Sequence, residues 1–481
     1  MTLTITDLFC GAGGSSTGAT AVPGLQVRMA ANHWQLAIDT HNTNHPDADH
    51  ACADVSQVDP RLFPRTDILW ASPSCTNHSV ARGRKRNEGA TGEPDLFGEL
   101  LPDEAAERSR ATMWDVPRFA EHHRYRAVIV ENVVDAAKWV MWPAWLQAMQ
   151  LLGYRHRVVY LNSMHAQAAG LPAPQSRDRI YIVFWRDGNT APDLDKWTRP
   201  RAYCPSCDAQ VQAVQSWKKP DAPWGRYRAQ YVWRCPNVAC RNSILEPGWL
   251  PASAAIDWSI QGQRIGDRDK PLSAKTLARI EAGLVKHAGP FTAEVAGNTF
   301  ERRPGVRTWS TDDVLRTLHT TASKALLVPV EGRDGKEARS AADPLRTMTT
   351  RNETALLVPY YSNGTARTTD EPYGTLTTHD RYAFVVPLRA NNTTKPVSEP
   401  YDTFAASGMH HALAQASTPK VEDCMFRMLE PHEIARGMAF PTDYTILGNK
   451  REQVRQAGNA VTPPAARDLF AAVAESLGVH S

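Results

Sequence analysis

Short apolar runs rich in strand-forming residues alternate with amphipathic stretches through the first 185 positions. Leu3 to Phe9, Leu25 to Ala31, Ile68 to Ala71, Ala127 to Val130, Val158 to Asn162 and Ile180 to Phe184 each read as strands, and a further short segment ends at Ala53-Asp54-Val55. Strands that alternate with helical patterns predict an α/β fold with a doubly wound, mostly parallel sheet. In such folds ligands sit outside the carboxyl ends of the strands. Pro271 to His287 reads as a helix, because Leu272, Thr276, Ile280 and Leu284 recur at about four-residue intervals and Leu277 thickens the stripe. A last helix, Ala465 to Leu477, begins through Pro463 and Pro464 in its first turn.

Between these helices the pattern changes to an internal repeat. Ala325-Leu326-Leu327-Val328-Pro329, Ala355-Leu356-Leu357-Val358-Pro359 and Ala383-Phe384-Val385-Val386-Pro387 recur about every thirty residues. Turns such as Asn363-Gly364 lie between them, which predicts repeated hairpins or a strand-loop array. The intervening threonines, arginines and asparagines are residue types that contact base edges and phosphates, although a purely structural β subdomain has the same pattern.

A chain of 481 residues has room for two or three domains. It has no run of eighteen apolar residues and no signal-peptide pattern at MTLTITDLFC, so we expect a cytoplasmic protein with no membrane contact. The net charge of +3 does not by itself decide for or against a nucleic-acid partner. Eight cysteines without a secretion signal predict reduced thiols with separate tasks. Four of them form pairs, Cys204 with Cys207 and Cys235 with Cys240, separated by 27 residues. That spacing predicts a tetrahedral four-cysteine site, a zinc ribbon holding structural Zn2+ with no open catalytic position.

The strand ends carry the candidate chemistry. After the first comes Cys10-Gly11-Ala12-Gly13-Gly14-Ser15-Ser16, which is either a cofactor loop where backbone N–H groups approach a ligand or a tight structural turn. Phe9, Trp34 and Asp54 would project at neighbouring ends and suit an adenosine, with core packing the alternative for Trp34. Cys75 follows Pro73 and would stand at a strand end facing a cleft; a lone loop cysteine can also be inert. Ser79, Arg82, Arg84, Lys85 and Arg86 fall in a basic, glycine-containing stretch, either a solvated loop or a phosphate contact. Glu131 ends an apolar strand, where a carboxylate is partly desolvated and suited to hold or share a proton. Arg177 and Arg179 alternate along an extended segment and so point the same way, as a cationic clamp or as structural ion pairs.

Taken together these stretches resemble the DNA cytosine-5 methyltransferases. DLFCGAGG is similar to the family's cofactor-loop motif, SPSCTNHS to its nucleophile motif, Glu131-Asn132-Val133 to its glutamate motif, QSRDR to its paired-arginine motif and Gly458-Asn459-Ala460-Val461 to its closing motif, in the same order. Arg427 to Tyr444 looks like an arginine-leucine-glutamate and phenylalanine-proline motif of the smaller domain. Ser74 and Thr76 flank the cysteine where proline and glutamine are usual, and His33 stands where a glutamate usually holds the cofactor ribose, marking a divergent bacterial or phage-like subgroup.

The resemblance implies S-adenosylmethionine as cofactor, held by Phe9, Gly11, Gly13, Gly14, His33, Trp34, Asp54 and Asn459. It implies Cys75, Glu131, Arg177 and Arg179 as catalytic residues, double-stranded DNA as partner, and a monomer that flips its target base. An RNA cytosine methyltransferase and a DNA-binding protein with a decayed site are the competing readings. The expected domains are a catalytic unit at 1–195, the zinc ribbon at 200–245, a helical connector at 253–289, a target-recognition domain at 290–418 and a return to the catalytic unit at 420–481.

Overall fold

The computed structural model describes residues 2–73, 111–260, 262–286, 291–294, 305–316, 324–329, 383–387, 395–396, 411–415 and 420–479. The apolar strands assemble into one sheet of seven. β1 (Leu3–Leu8), β2 (Leu25–Asn32), β3 (Asp49–Cys52), β4 (Ile68–Ala71), β5 (Ala127–Asn132), β6 (Tyr154–Asn162) and β8 (Asp178–Arg186) lie in the order β3-β2-β1-β4-β5-β8-β6. The first five are mutually parallel, and β8 runs antiparallel between β5 and β6. Buried on both faces, Ile68 to Ala71 and Ala127 to Val130 are continuous apolar runs, as central parallel strands require.

Helices cover both faces. α1 (Gly14–Thr20), α2 (Gln35–Asn44), α3 (Asp115–His123), α4 (Trp142–Leu151) and α5 (Leu194–Thr198) come from the first half of the chain. The C-terminal α9 (Pro463–Ser476) returns to pack on α1 and α5, and Trp70 of β4 meets Phe470 at 5.1 Å between rings. At Gly14 an added Cβ would lie 1.9 Å from the Val461 carbonyl oxygen. That glycine therefore serves the closure of the chain on itself.

Two short β units form the four-cysteine module. β9 (Arg201–Cys204) pairs with β10 (Ala209–Gln212), and β11 (Val214–Trp217) with β12 (Tyr231–Arg234), which also pairs with β13 (Ile244–Leu245). The module shares its core with the seven-stranded sheet: Tyr231, Trp233 and Leu245 belong to the same buried cluster as Val128, Val130 and Phe184.

A second sheet has the order β14 (Gln263–Arg264), β22 (Cys424–Met428), β18 (Lys324–Pro329), β15 (Phe291–Glu294) and β16 (Thr308–Ser310). α6 (Ala274–Lys286) packs Ile280 and Leu284 against Phe291, Ala293 and Phe426 of this sheet. The predicted helix thus exists, and its apolar side packs on the second sheet. Likewise residues 424–428, expected within the catalytic return, are a strand of this sheet. Two of the three repeats are strands: 325–329 lies in β18, and 383–387 is β19, which pairs with β20 (Lys395–Pro396) and β21 (His411–Gln415). The middle repeat and Asn363-Gly364 lie outside the described residues. β7 (Gln175–Ser176) pairs with β17 (Leu315–Arg316) and joins the two units. α7 (Pro431–Gly437) and α8 (Lys450–Asn459) complete the return. Among the described residues no helix is long and apolar enough to cross a membrane.

Candidate active site

The strand order reverses between β1 and β4, and the candidate residues collect at the carboxyl ends beside that point, where an open α/β sheet leaves a crevice. Leu8 stands opposite Ala31 and Asn32 opposite Cys52, so Phe9, His33 and Asp54 follow three neighbouring strand ends. Phe9 is half-buried with φ of 61°, an uncommon conformation for a bulky residue. Gly11 has φ of 53° and no atom within 4 Å of where a Cβ would stand, an open cradle for a ligand. At Gly13 the same position is 2.5 Å from the Tyr444 hydroxyl, so Gly13, like Gly14, makes room for the returning chain.

Trp34 is half-buried, and Arg455 of α8 lies over its ring at 4.5 Å. This fixes one face of the indole by a cation–π contact. His33 is exposed, and so is Asp54, whose carboxylate accepts from the Ser56 N–H at 3.1 Å. Asn459 is the exposed last residue of α8.

Beneath the glycine turn lies a buried polar chain that the sequence reading did not pick out. Ser15 and Ser16 donate to Asp7 Oδ2 at 2.6 and 2.7 Å, while Asp7 Oδ1 is buried without a partner. Burial pushes the Asp7 carboxyl up to about 6, and the two serine hydrogen bonds pull it back. His41 joins the chain through Ser16 at 2.9 Å and His50 at 2.8 Å. Burial holds His41 well below its ordinary value, and His45 down to about 4. Tyr444, from the returning segment, donates to the Ala12 carbonyl at 2.5 Å.

On the other side of the switch point, Glu131 at the end of β5 is paired with Arg179, Nε to Oε1 at 2.9 Å, with both side chains largely buried. The carboxylate expected to be desolvated therefore has a cation beside it. Arg177 has a different engagement from Arg179: it is 3% exposed, and its guanidinium donates to the carbonyls of Gly458 and Ala460 at 3.2 Å. The single clamp expected from alternation is thus divided, one arginine at the acid and the other at the closing segment. Both charges act on Tyr181 of β8, whose phenol is raised by burial first and then by the Glu131 charge. Asn162 fixes the backbone here, its Oδ1 accepting from the Arg177 N–H at 3.0 Å.

β4 leads out of the sheet through Pro73 toward Cys75. Trp70 Nε1 donates to Ser72 Oγ at 2.9 Å, and Asn132 Nδ2 donates to the Pro73 carbonyl at 3.3 Å. Asn132, beside Glu131, thereby ties the acid strand to the segment before the cysteine. Its only sequence signal was membership of the Glu131-Asn132-Val133 motif. Cys75, Ser79, Arg82, Arg84, Lys85 and Arg86 lie outside the described residues. The four module thiols converge: Cys204, Cys207, Cys235 and Cys240 offer sulfurs all within 4.8 Å of one another, a set that can hold a metal ion.

A mostly parallel doubly wound sheet with one reversed strand, a glycine turn after β1 and an acid–arginine pair beside the switch point define the S-adenosylmethionine-dependent methyltransferase type of fold. The family model for C-5 cytosine-specific DNA methylase matches residues 3–216 and 333–475. The chain belongs to that family. It is 26% identical over 193 residues to the type II methyltransferase M.AgeI of Thalassovita gelatinovora, covering 38% of this chain and 39% of that protein. It is 28% identical over 183 residues to M.NlaX of Neisseria lactamica, covering 37% of this chain and 51% of that protein. These matches span about two fifths to half of the relatives' length. A crystal structure of the S. pombe Dnmt2 methyltransferase aligns at 12% identity with a TM-score of 0.49, over 99% of this chain and 100% of that one.

Proposed function

We propose that this protein transfers a methyl group from S-adenosylmethionine to C5 of a cytosine flipped out of double-stranded DNA, acting as a cytoplasmic monomer. The observation that carries this reading is the buried Glu131–Arg179 pair standing beside the strand that leads to Cys75, at the switch point of the sheet. Cytosine C5 is too weak a nucleophile to take a methyl group directly. The Cys75 thiolate adds to C6, Glu131 meets N3 and the exocyclic amine, and the ring electrons move onto C5. Arg179 contacts the base O2 and the adjacent backbone, while Arg177 holds the closing segment through the Gly458 and Ala460 carbonyls. Loss of the C5 proton to a base or water then expels the cysteine and restores the aromatic ring.

S-adenosylmethionine supplies the methyl group when bound. Phe9 and Trp34 offer rings to its adenine and Gly11 an open backbone, with Gly13 and Gly14 shaping the turn. His33 and Asp54 stand at strand ends suited to its hydroxyls and amine, and Asn459 at the end of α8. Ser79, Arg82, Arg84, Lys85 and Arg86 contact phosphates beside the flipped base. Residues 290–418 carry target recognition. Cys204, Cys207, Cys235 and Cys240 hold a structural Zn2+, four thiolates with no open position for chemistry.

The test is DNA carrying 5-fluorocytosine, whose fluorine leaves no C5 proton to lose and so arrests elimination. A covalent adduct with the wild-type protein that disappears in Cys75→Ser supports the proposal. DNA binding without an adduct favours a decayed site, and preferential labelling of competing RNA favours an RNA methyltransferase.

A further inference from the structure

The four-cysteine module sends a loop to the segments that flank both partners of the acid–arginine pair. From one segment, Trp224 Nε1 donates to the Val134 carbonyl at 3.0 Å, and Arg226 is ion-paired with Asp135. Both acceptors lie in the 3₁₀ turn Val134–Lys138, which begins three residues after Glu131. The next residue, Tyr227, donates its N–H to Asp178 Oδ1 at 3.0 Å, and Asp178 stands between Arg177 and Arg179. The Asp178 carbonyl in turn accepts from Arg179 Nη1 at 2.9 Å. Behind this loop the module is fastened to the sheet by Trp233 Nε1 on His165 Nδ1 at 3.0 Å and by Gln215 on the Tyr160 carbonyl at 2.9 Å.

We propose that the module is a brace for catalysis, in which Trp224, Arg226 and Tyr227 are positioning residues that hold Glu131 and Arg179 in register with each other. An inserted module that only needed anchorage would be served by its buried Trp233 contact and the shared core. The loop contacts instead fall on the turn after Glu131 and on the residue before Arg179, so displacement of this one segment changes the separation of the pair. Asp135 is 7% exposed and has Lys138 at 3.3 Å as well as Arg226, so its turn is drawn toward the module by charge in a poorly solvated place. Lys138 also lies over the Trp224 ring at 3.7 Å, closing the contact from the other side.

This proposal rests on the methyltransferase reading, and its test separates the two. In a 5-fluorocytosine DNA trap, wild-type protein is compared with Arg226→Ala, Arg226→Lys and Asp135→Asn, with exposed Gln210→Ala as a module control. S-adenosylmethionine affinity by calorimetry and the melting midpoint are read alongside. A brace predicts that Arg226→Ala slows adduct formation tenfold or more and lowers kcat, with KM for DNA and cofactor affinity within twofold. It predicts partial recovery in Arg226→Lys, a loss in Asp135→Asn that does not add to that of Arg226→Ala, and no change in Gln210→Ala. Equal adduct rates in wild type and Arg226→Ala overturn the brace and leave the methyltransferase reading intact. Parallel loss of cofactor binding and melting midpoint, with no recovery in Arg226→Lys, also overturns it in favour of plain anchorage. No adduct with wild type removes the reading on which it rests.

Discussion

At the scale of single residues, side chains with a local signature were legible and those defined by distant partners were not. Glu131 was found because a carboxylate at the end of Ala127-Val128-Ile129-Val130 breaks an apolar run, and Arg179 because of its spacing. Asp7 and Asn132 have no such mark; their partners are Ser15 and Ser16 across a turn and Pro73 across 59 residues. Asn132 is the sharper case for experiment. Its amide holds the Pro73 carbonyl, and its Oδ1 accepts from the Val133 N–H at 2.8 Å, all in a buried place. Asn132→Ala leaves both groups unpaired at a cost of about 1–3 kcal/mol. We expect a matching fall in urea stability, a tenfold or greater slowing of adduct formation and unchanged S-adenosylmethionine affinity. Arg179→Lys is a second test, because a point charge does not reproduce the fork that reaches Glu131 through Nε and the Asp178 carbonyl through Nη1. A kcat loss larger than any change in KM is expected.

At the scale of elements, the hydrophobic pattern located nearly every strand of the large sheet, since strands buried on both faces announce themselves as apolar runs. It could not show that β8 is reversed, because direction depends on the crossover and not on the strand. Nor could the stripe on α6 name its partner, which proved to be the second sheet. Gly14 was read for a ligand, yet its lack of a side chain is needed where α1 meets the segment entering α9. Gly14→Ala forces the Val461 carbonyl away, and overpacking of that kind costs about 1–3 kcal/mol. Thermal melts should show the loss with or without cofactor present. For the four-cysteine module, Cys207→Ser should abolish one bound zinc per chain by mass spectrometry. It should also expose the β9–β10 hairpin to protease, since its strands are four residues long and β10 is almost wholly exposed.

At the scale of the whole molecule, the chain closes by bringing residues 420–479 back onto the first domain. Thr462 meets Ser163 at 2.8 Å, Asp468 accepts from the Ala168 and Ala169 N–H groups, and Arg177 grips Gly458 and Ala460. Around this closure lie buried titratable groups that oppose one another in pH dependence. His45 keeps its neutral form down to about 4 and His165 down to about 3 in the fold, both through burial, against an ordinary 6.5. His41 moves the same way. The unfolded chain therefore binds more protons on these groups, and the stability they allow is full above about 6.5 and lost as pH falls toward 4. Asp7 works in the opposite sense: burial lets it keep its proton to about 6 against an ordinary 3.8, so its contribution is full below about 3.8 and lost as pH rises to 6. Between pH 4 and 6 the aspartate partly offsets the histidines, and the net expectation is a gradual loss of stability on acidification from 6.5. Asp7→Asn keeps an acceptor for Ser15 and Ser16 but no longer titrates. Urea midpoints measured from pH 4 to pH 8 should then fall more steeply with acid in the variant than in the wild type, while parallel profiles would show that Asp7 keeps no proton in that range.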